Sequence, residues 1–151
     1  MSIFNKKVRT KYIRVRGYLN QLSVLQLPPV VMELIVDYEA LVGTRNELVI
    51  KELAVASSNA INAFHFTSPY STSNKVNELN KLSKNGLNWN DGYIPYTSLK
   101  LILEEATAGY THLYAYERDK CCFISEVTNR AFINLEEFNC PAPPNLKHEM
   151  S

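Results

Sequence analysis

The sequence predicts an α/β domain in which a mixed sheet of about five strands is flanked by helices. Three observations carry this prediction. β-prone apolar runs follow one another from residue 31, helical spacing of apolar residues begins at residue 76, and strand and helix patterns then alternate. With 151 residues, of which 46% are hydrophobic and 21% charged, the chain has the size and composition of one globular domain.

The predicted sheet begins with three strands joined by short, turn-rich connections at residues 43–46 and 57–59. Short connections favour antiparallel neighbours, so these strands are expected to form a meander. The strands cover about Val31–Val42, Glu47–Ala56 and Ile61–Phe66.

The second half of the chain predicts two further strands and three helices. The first helix is marked by apolar residues at a spacing of three, with Ser73 or Asn74 as its N-cap. Glycine or turn residues separate the later elements. The helices cover Val76–Leu82, Tyr96–Ala108 and Asp119–Thr128, and the strands cover Thr111–Tyr116 and Ala131–Phe138.

Two carboxylates stand in the middle of the first strand. Side chains alternate between the faces of a strand, so Asp37 and Glu39 are expected on the same face. Adjacent buried carboxylates repel each other and lose hydration unless a divalent cation or a basic side chain lies between them. The pair is therefore either a metal site or a fold-stabilising group that pairs with lysine or arginine.

The N-terminal segment is strongly basic. Residues 1–17 contain six of the 16 lysines and arginines and none of the 15 acidic residues, so the rest of the chain is acidic overall. Aromatic and β-branched residues between the cations favour a basic strand. Such a segment can bind nucleic acid or an acidic partner, and the alternatives are an ordinary edge strand or a targeting sequence. The candidate nucleic-acid-binding residues are Lys6, Lys7, Arg9, Lys11, Arg14 and Arg16.

Other features narrow the class of protein. No apolar run reaches the ~18 residues of a membrane span, and no signal-peptide core is found, so an intracellular protein in the cytoplasm or nucleus is expected. Cys121, Cys122 and Cys140 lack the spacing of a zinc site, and buried, reduced thiols are expected. An exposed sheet edge or the apolar run Leu22–Leu27 could form a homodimer.

The order of elements and several short motifs resemble a known fold. A leading strand with Asp-x-Glu, two antiparallel strands and a helix–strand–helix–strand unit resemble the RNase H-like fold of DEDD-type 3′–5′ exonucleases. Four further motifs are Lys51-Glu52-Leu53-Ala54, Asn85-Gly86-Leu87-Asn88-Trp89, Asp91-Gly92-Tyr93-Ile94-Pro95-Tyr96 and Asn134-Leu135-Glu136-Glu137-Phe138-Asn139-Cys140-Pro141. Together these motifs resemble a divergent exonuclease-like family found in arthropods, their mobile elements and their viruses.

The resemblance implies a site that this chain matches only in part. In these exonucleases four acidic residues bind two divalent ions, which position the attacking water and the leaving oxygen. Asp37 and Glu39 match the first motif. The second acidic position falls near Asp119, which is short of the usual spacing, or Cys121, which would not bind a hard cation. The last motif would require His148 and Glu149, which stand in a proline-rich tail.

The expected organisation is a basic N-terminal arm (1–30), an exonuclease-like domain (31–141) and a flexible tail (142–151). The preferred function is a catalytically degenerate exonuclease-like module that binds nucleic acid or a host protein. One alternative is an active 3′–5′ exonuclease that binds Mg²⁺ or Mn²⁺ through Asp37 and Glu39. The other is a viral or mobile-element protein-interaction factor without a nucleic-acid role.

Single residues in the second half of the chain have expected roles of their own. Trp89 and Tyr93 are expected to be packing anchors or, alternatively, base-stacking platforms. The charged residues 118–120 are expected to cap the helix that follows.

Overall fold

The structure is a computed structural model that describes residues 6–14, 16, 32–71, 76–77, 80 and 86–138. Several sequence predictions lie outside these residues. They concern the helix N-cap at Ser73 or Asn74, the apolar run Leu22–Leu27, and the tail with Cys140, His148 and Glu149.

The five strands form one mixed sheet in the order β3-β2-β1-β4-β5. The pairs β1–β2 and β2–β3 are antiparallel, whereas β1–β4 and β4–β5 are parallel. This arrangement confirms the predicted α/β class, with an antiparallel meander joined to parallel strands. The bounds are β1 Glu33–Val42, β2 Leu48–Ala56, β3 Ile61–His65, β4 His112–Ala115 and β5 Ile133–Asn134.

Among the described residues, three helices flank the sheet. Val76 and Asn77 are also helical, at the start of the predicted helix Val76–Leu82, whose other residues apart from Asn80 lie outside the described part. We call them α1 (residues 6–14 and 16), α2 (Leu99–Thr107) and α3 (Arg118–Thr128). A 3₁₀ turn, Tyr96–Ser98, leads into α2 at the predicted position. None of the helices within the described residues is both long enough and apolar enough to cross a membrane.

The predicted basic strand at the N-terminus is wrong, because the described part of this segment is helical. Val8 and Tyr12 are one helical turn apart, and both are buried against Ile35 and Tyr114 of the sheet. Ala54 and Ala56 of β2 belong to the same cluster. This part of the chain is therefore a layer of the domain rather than an extended arm.

The last predicted strand is also shorter than expected. β5 ends at Asn134, and a 3₁₀ turn covers Leu135–Phe138. The Asn134 side-chain oxygen accepts hydrogen bonds from the backbone N–H groups of Glu136, at 3.1 Å, and Glu117, at 3.2 Å. An asparagine that bonds the backbone two residues ahead forms a turn, and this bond replaces the strand pattern.

The two faces of β1 are buried in different ways. Leu34, Val36 and Tyr38 point into an apolar core that includes Leu103 of α2 and Ile124 of α3. The odd-numbered side chains of β1 point to the opposite face, where Ile35 packs in the cluster that α1 covers. The charged residues of β1 therefore lie beneath the basic helix.

Candidate functional site: a carboxylate paired with two lysines

Asp37 and Glu39 lie on the same face of β1, as the sequence predicts. On the neighbouring strand β2, Asp37 stands opposite Ala54 and Glu39 stands opposite Glu52. Asp37 is almost fully buried, with 2% of its surface exposed, whereas Glu39 is half-buried. The site is thus a buried carboxylate beside a second, more accessible one.

Both oxygens of Asp37 accept hydrogen bonds from lysine ammonium groups. Lys11 of α1 donates to Oδ2 at 2.8 Å, and Lys120 of α3 donates to Oδ1 at 2.7 Å. The backbone N–H of Tyr38 donates to Oδ1 at 2.9 Å. A carboxylate that holds two cations and one N–H group is well satisfied without a metal ion.

Each ammonium group has further partners. Lys120 also donates to the backbone carbonyl of Tyr38 at 3.0 Å, and its Nζ lies 5.1 Å from the centroid of the Tyr38 ring. Lys11 lies 5.4 Å from the centroid of the Tyr116 ring. Aromatic faces attract cations, so these rings help to hold both lysines at the carboxylate.

The charge of Asp37 depends on these lysines. Burial is the largest single influence and by itself raises the pKa of Asp37, but the combined attraction and hydrogen bonds of Lys11 and Lys120 outweigh it. The result is a pKa below the ordinary value. Asp37 therefore remains ionised at neutral pH as the centre of a buried ion triad.

Glu39 behaves in the opposite way. Burial raises its pKa, the charge of Lys120 opposes that shift, and the nearby charges of Asp37 and Glu52 add to it. The pKa of Glu39 is thus shifted in the opposite direction to that of Asp37, because Glu39 lacks the direct lysine contacts that outweigh burial at Asp37.

The candidate third carboxylate is not brought to the pair. Asp119 lies exposed in the first turn of α3, and the next residue, Lys120, makes the contact with Asp37 instead. Cys121 is buried, its Sγ lies 3.5 Å from the carbonyl oxygen of Ala115, and burial raises its pKa to about 11. The expectation of buried thiols holds for Cys121, whereas Cys122 is exposed.

The donor set therefore does not suit a divalent metal ion. Among the described residues, no three His, Cys, Asp or Glu side chains are grouped so that they could hold one. A metal at Asp37 would have to displace two ammonium groups that already neutralise the carboxylate. The positive charge that the resemblance assigns to metal ions is supplied here by lysines.

Two cations of the basic segment form ion pairs inside the domain. Lys11 pairs with Asp37, and Arg16 forms an ion pair with Glu33 at the start of β1. Lys6, Lys7 and Arg9 are exposed on α1, and Arg14 is half-buried. Two of the six candidate nucleic-acid-binding cations are thus counter-ions of the acidic strand.

A strained turn positions Lys120. Glu117 stands immediately before α3 with φ 83° and ψ 138°, a backbone conformation that residues other than glycine rarely adopt. Its N–H is held by Asn134, and its carbonyl accepts the N–H of Cys121 at 3.1 Å. The expected capping role of residues 118–120 is wrong, because Glu117 is the N-cap and these residues form the first turn of α3, from which Lys120 reaches the sheet.

Lys120 and Lys11 are the residues that the sequence reasoning did not assign to this site. The charge imbalance between residues 1–17 and the acidic remainder was a usable signal, because opposite charges within one chain can pair with each other. For Lys120 the sequence offers no such signal, since 83 residues separate it from Asp37.

No model of a known protein family matches the chain, and no curated protein shows a significantly similar sequence. Membership of an exonuclease-like family therefore stays a prediction based on the motifs and on the order of elements.

Proposed function

We propose that this protein is a catalytically inactive, exonuclease-like module that acts by binding a partner. The observation that carries the proposal is the Asp37 triad, in which Lys11 and Lys120 occupy both carboxylate oxygens at 2.8 Å and 2.7 Å. Two-metal phosphodiester cleavage depends on carboxylates that are available to cations. A carboxylate saturated by lysines serves instead to fasten α1 and α3 to the sheet.

The arrangement of charge favours a protein partner over nucleic acid. Three exposed cations on α1, Lys6, Lys7 and Arg9, could still contact phosphates. However, the strongest basic contacts of the segment are directed inward, and Glu39 and Glu52 stand side by side on the adjacent strands. Nucleic-acid binding through α1 is therefore the second candidate, and its partner would contact only the outer side of the helix.

The direct test is a nuclease assay with the full chain. Labelled single-stranded and double-stranded DNA and RNA are incubated with millimolar Mg²⁺ or Mn²⁺, and the Asp37→Asn variant is the matched control because it removes the charge at nearly constant shape. We expect no degradation above the level of that control. Metal-dependent shortening from the 3′ end that disappears in Asp37→Asn would overturn the proposal.

A salt-dependent binding assay separates the two candidate partners. If nucleic acid is the partner, changing Lys6, Lys7 and Arg9 together to glutamine should weaken binding and lower its salt dependence. If the partner is a protein, the same triple variant should leave nucleic-acid retention at the low level of the wild type.

A further inference from the structure

The loop at residues 89–93 presents Tyr93 to solvent beside His65 of β3. Tyr93 is 71% exposed, a larger fraction than for any other large apolar side chain in the described part of the chain. Trp89, four residues earlier, is 4% exposed and donates its indole N–H to the carbonyl of Tyr70. Trp89 is thus a packing anchor, as predicted, whereas Tyr93 is not.

The loop is fixed by a buried lysine. Lys51 is the extra residue of a β-bulge in β2, where the pairing shifts between Glu39 and Ala40. Its ammonium group donates to the carbonyls of Trp89, at 2.9 Å, and Asp91, at 2.6 Å. A third bond, at 2.9 Å, goes to Ser68. Three acceptors saturate the ammonium group, which ties the loop to the sheet.

Backbone hydrogen bonds and a required glycine also fix the conformation of the chain around Tyr93. Gly92 has φ +118°, and a Cβ atom there would lie 2.1 Å from the carbonyl oxygen of Phe66. The N–H groups of Tyr93 and Ile94 both donate to the carbonyl of His65, at 3.2 Å and 3.0 Å. The position therefore requires glycine, and the loop loses little further conformational entropy when a partner binds.

A histidine–glutamate pair lies beside Tyr93. Its ring lies 5.9 Å from the ring of His65, and His65 Nδ1 lies 3.3 Å from Glu52 Oε1. In the sheet register Glu39 stands opposite Glu52 on the neighbouring strand. The exposed Asp91 lies two residues before Tyr93 in the sequence. An exposed aromatic ring thus stands beside a histidine that is paired with the carboxylate of Glu52.

We propose that the surface formed by Tyr93, His65 and Glu52 binds an arginine side chain of a partner protein. This inference rests on the proposed binding function and names the chemistry of its partner. A guanidinium group stacks on a tyrosine ring and pairs with a carboxylate at the same time. The phosphates of a nucleic acid would instead be repelled by the carboxylate of Glu52.

The test uses the full, ¹⁵N-labelled chain and three short probes. The first is an acetylated, amidated peptide that alternates glycine and arginine. The second replaces arginine with citrulline, which keeps the planar shape but lacks the charge, and the third is a single-stranded oligothymidylate. We expect the arginine peptide to shift the amide signals of residues 52, 65 and 93, and the other two probes to leave them unchanged.

Matched variants locate the binding energy. Tyr93→Ala should weaken the arginine peptide at least about fivefold, and Glu52→Gln should weaken it about threefold. Leu101→Ala is the control, because it removes another exposed apolar side chain, 57% exposed on α2, and should change nothing. Since all three positions are at least partly exposed, the variants should remain folded, which a thermal melt verifies.

Several results would overturn the inference. These are equal binding of the citrulline peptide, binding of the arginine peptide that Tyr93→Ala does not weaken, and oligothymidylate binding that Tyr93→Ala removes. The last result would make Tyr93 a base-stacking platform. If no peptide binds and the nuclease assay is also negative, this surface is refuted while the proposed inactivity stands. If the nuclease assay is positive, the proposed function itself is refuted.

Discussion

The two faces of β1 achieve burial by opposite means. On one face Leu34, Val36 and Tyr38 pack into an apolar core with α2 and α3. On the other face Glu33 and Asp37 are also buried, but each is neutralised by a basic residue of α1. Apolar packing is non-directional, whereas a buried carboxylate is satisfied only by donors at particular positions.

The difference shows what each face contributes. The apolar face supplies most of the free energy of folding through burial, and many similar side chains could replace its residues. The charged face specifies which helix covers the sheet and in which register, because Lys11 and Lys120 must meet the two oxygens of one carboxylate. A buried ion group of this kind is weak evidence for added stability, and removing one partner is strongly destabilising.

The largest effect is expected on the charged face. Asp37→Ala should lower the free energy of unfolding by about 3–5 kcal/mol, because it leaves the buried ammonium group of Lys11 without its carboxylate. Chemical denaturation at neutral pH measures the change. The double variant Asp37→Leu with Lys11→Met should recover most of the loss. Equal instability of the double variant would mean that the charges themselves hold α1 in place.

The apolar face should respond almost as strongly, but without dependence on charge. Leu103 is fully buried in the core, so Leu103→Ala should cost about 2–4 kcal/mol through lost burial and the cavity left behind. The loss should be the same at low and high salt. A salt-dependent loss at Leu103 would contradict the division between the two faces.

The pH dependence of stability sharpens the comparison further. Asp37 has a pKa below its ordinary value of 3.8, so its ion pairs contribute fully above that value and lose their contribution as the pH falls through the lowered pKa. The stability advantage of the wild type over Asp37→Asn should therefore shrink over the acidic range below pH 3.8. Glu39, with its raised pKa, shifts in the opposite sense and is retained in both proteins. A constant difference across this range would show that Asp37 is not paired.

The smallest effect concerns the strained turn that positions Lys120. Glu117→Gly should raise the free energy of unfolding by about 1 kcal/mol, because glycine adopts φ 83° without a steric penalty. Asn129 has φ 56° in the left-handed region that asparagine tolerates, so Asn129→Gly is the matched control and should change stability less. A loss of stability in Glu117→Gly would mean that the turn is not strained.

Much of the fold follows from local patterns in the sequence. Alternating apolar residues predict β1 to β3, and the helical spacing of Leu99, Ile102, Leu103 and Ala106 predicts α2 with its inward face. α1 was missed because cations interrupt its apolar face, leaving Val8 and Tyr12 as its buried apolar positions among the described residues. β5 was overextended because a single side-chain hydrogen bond of Asn134 outweighs the strand pattern.

The candidate site was predictable only in part. The alternation of β1 places Asp37 and Glu39 on one face, and the need for a cation or basic partner follows from burial. Which partner neutralises the pair depends on contacts over 26 and 83 residues, which neither spacing nor periodicity encodes. The decision between metal ions and lysines therefore required three-dimensional positions.

The most direct test of the account is whether Mn²⁺ reaches the carboxylates of β1. A paramagnetic Mn²⁺ titration of the ¹⁵N-labelled protein, with the Asp37→Asn variant as control, reports binding as broadening of nearby amide signals. Because Lys11 and Lys120 already neutralise Asp37, the account predicts that residues 37–39 broaden no more in the wild type than in the variant. Saturable broadening at these residues that Asp37→Asn abolishes would contradict it.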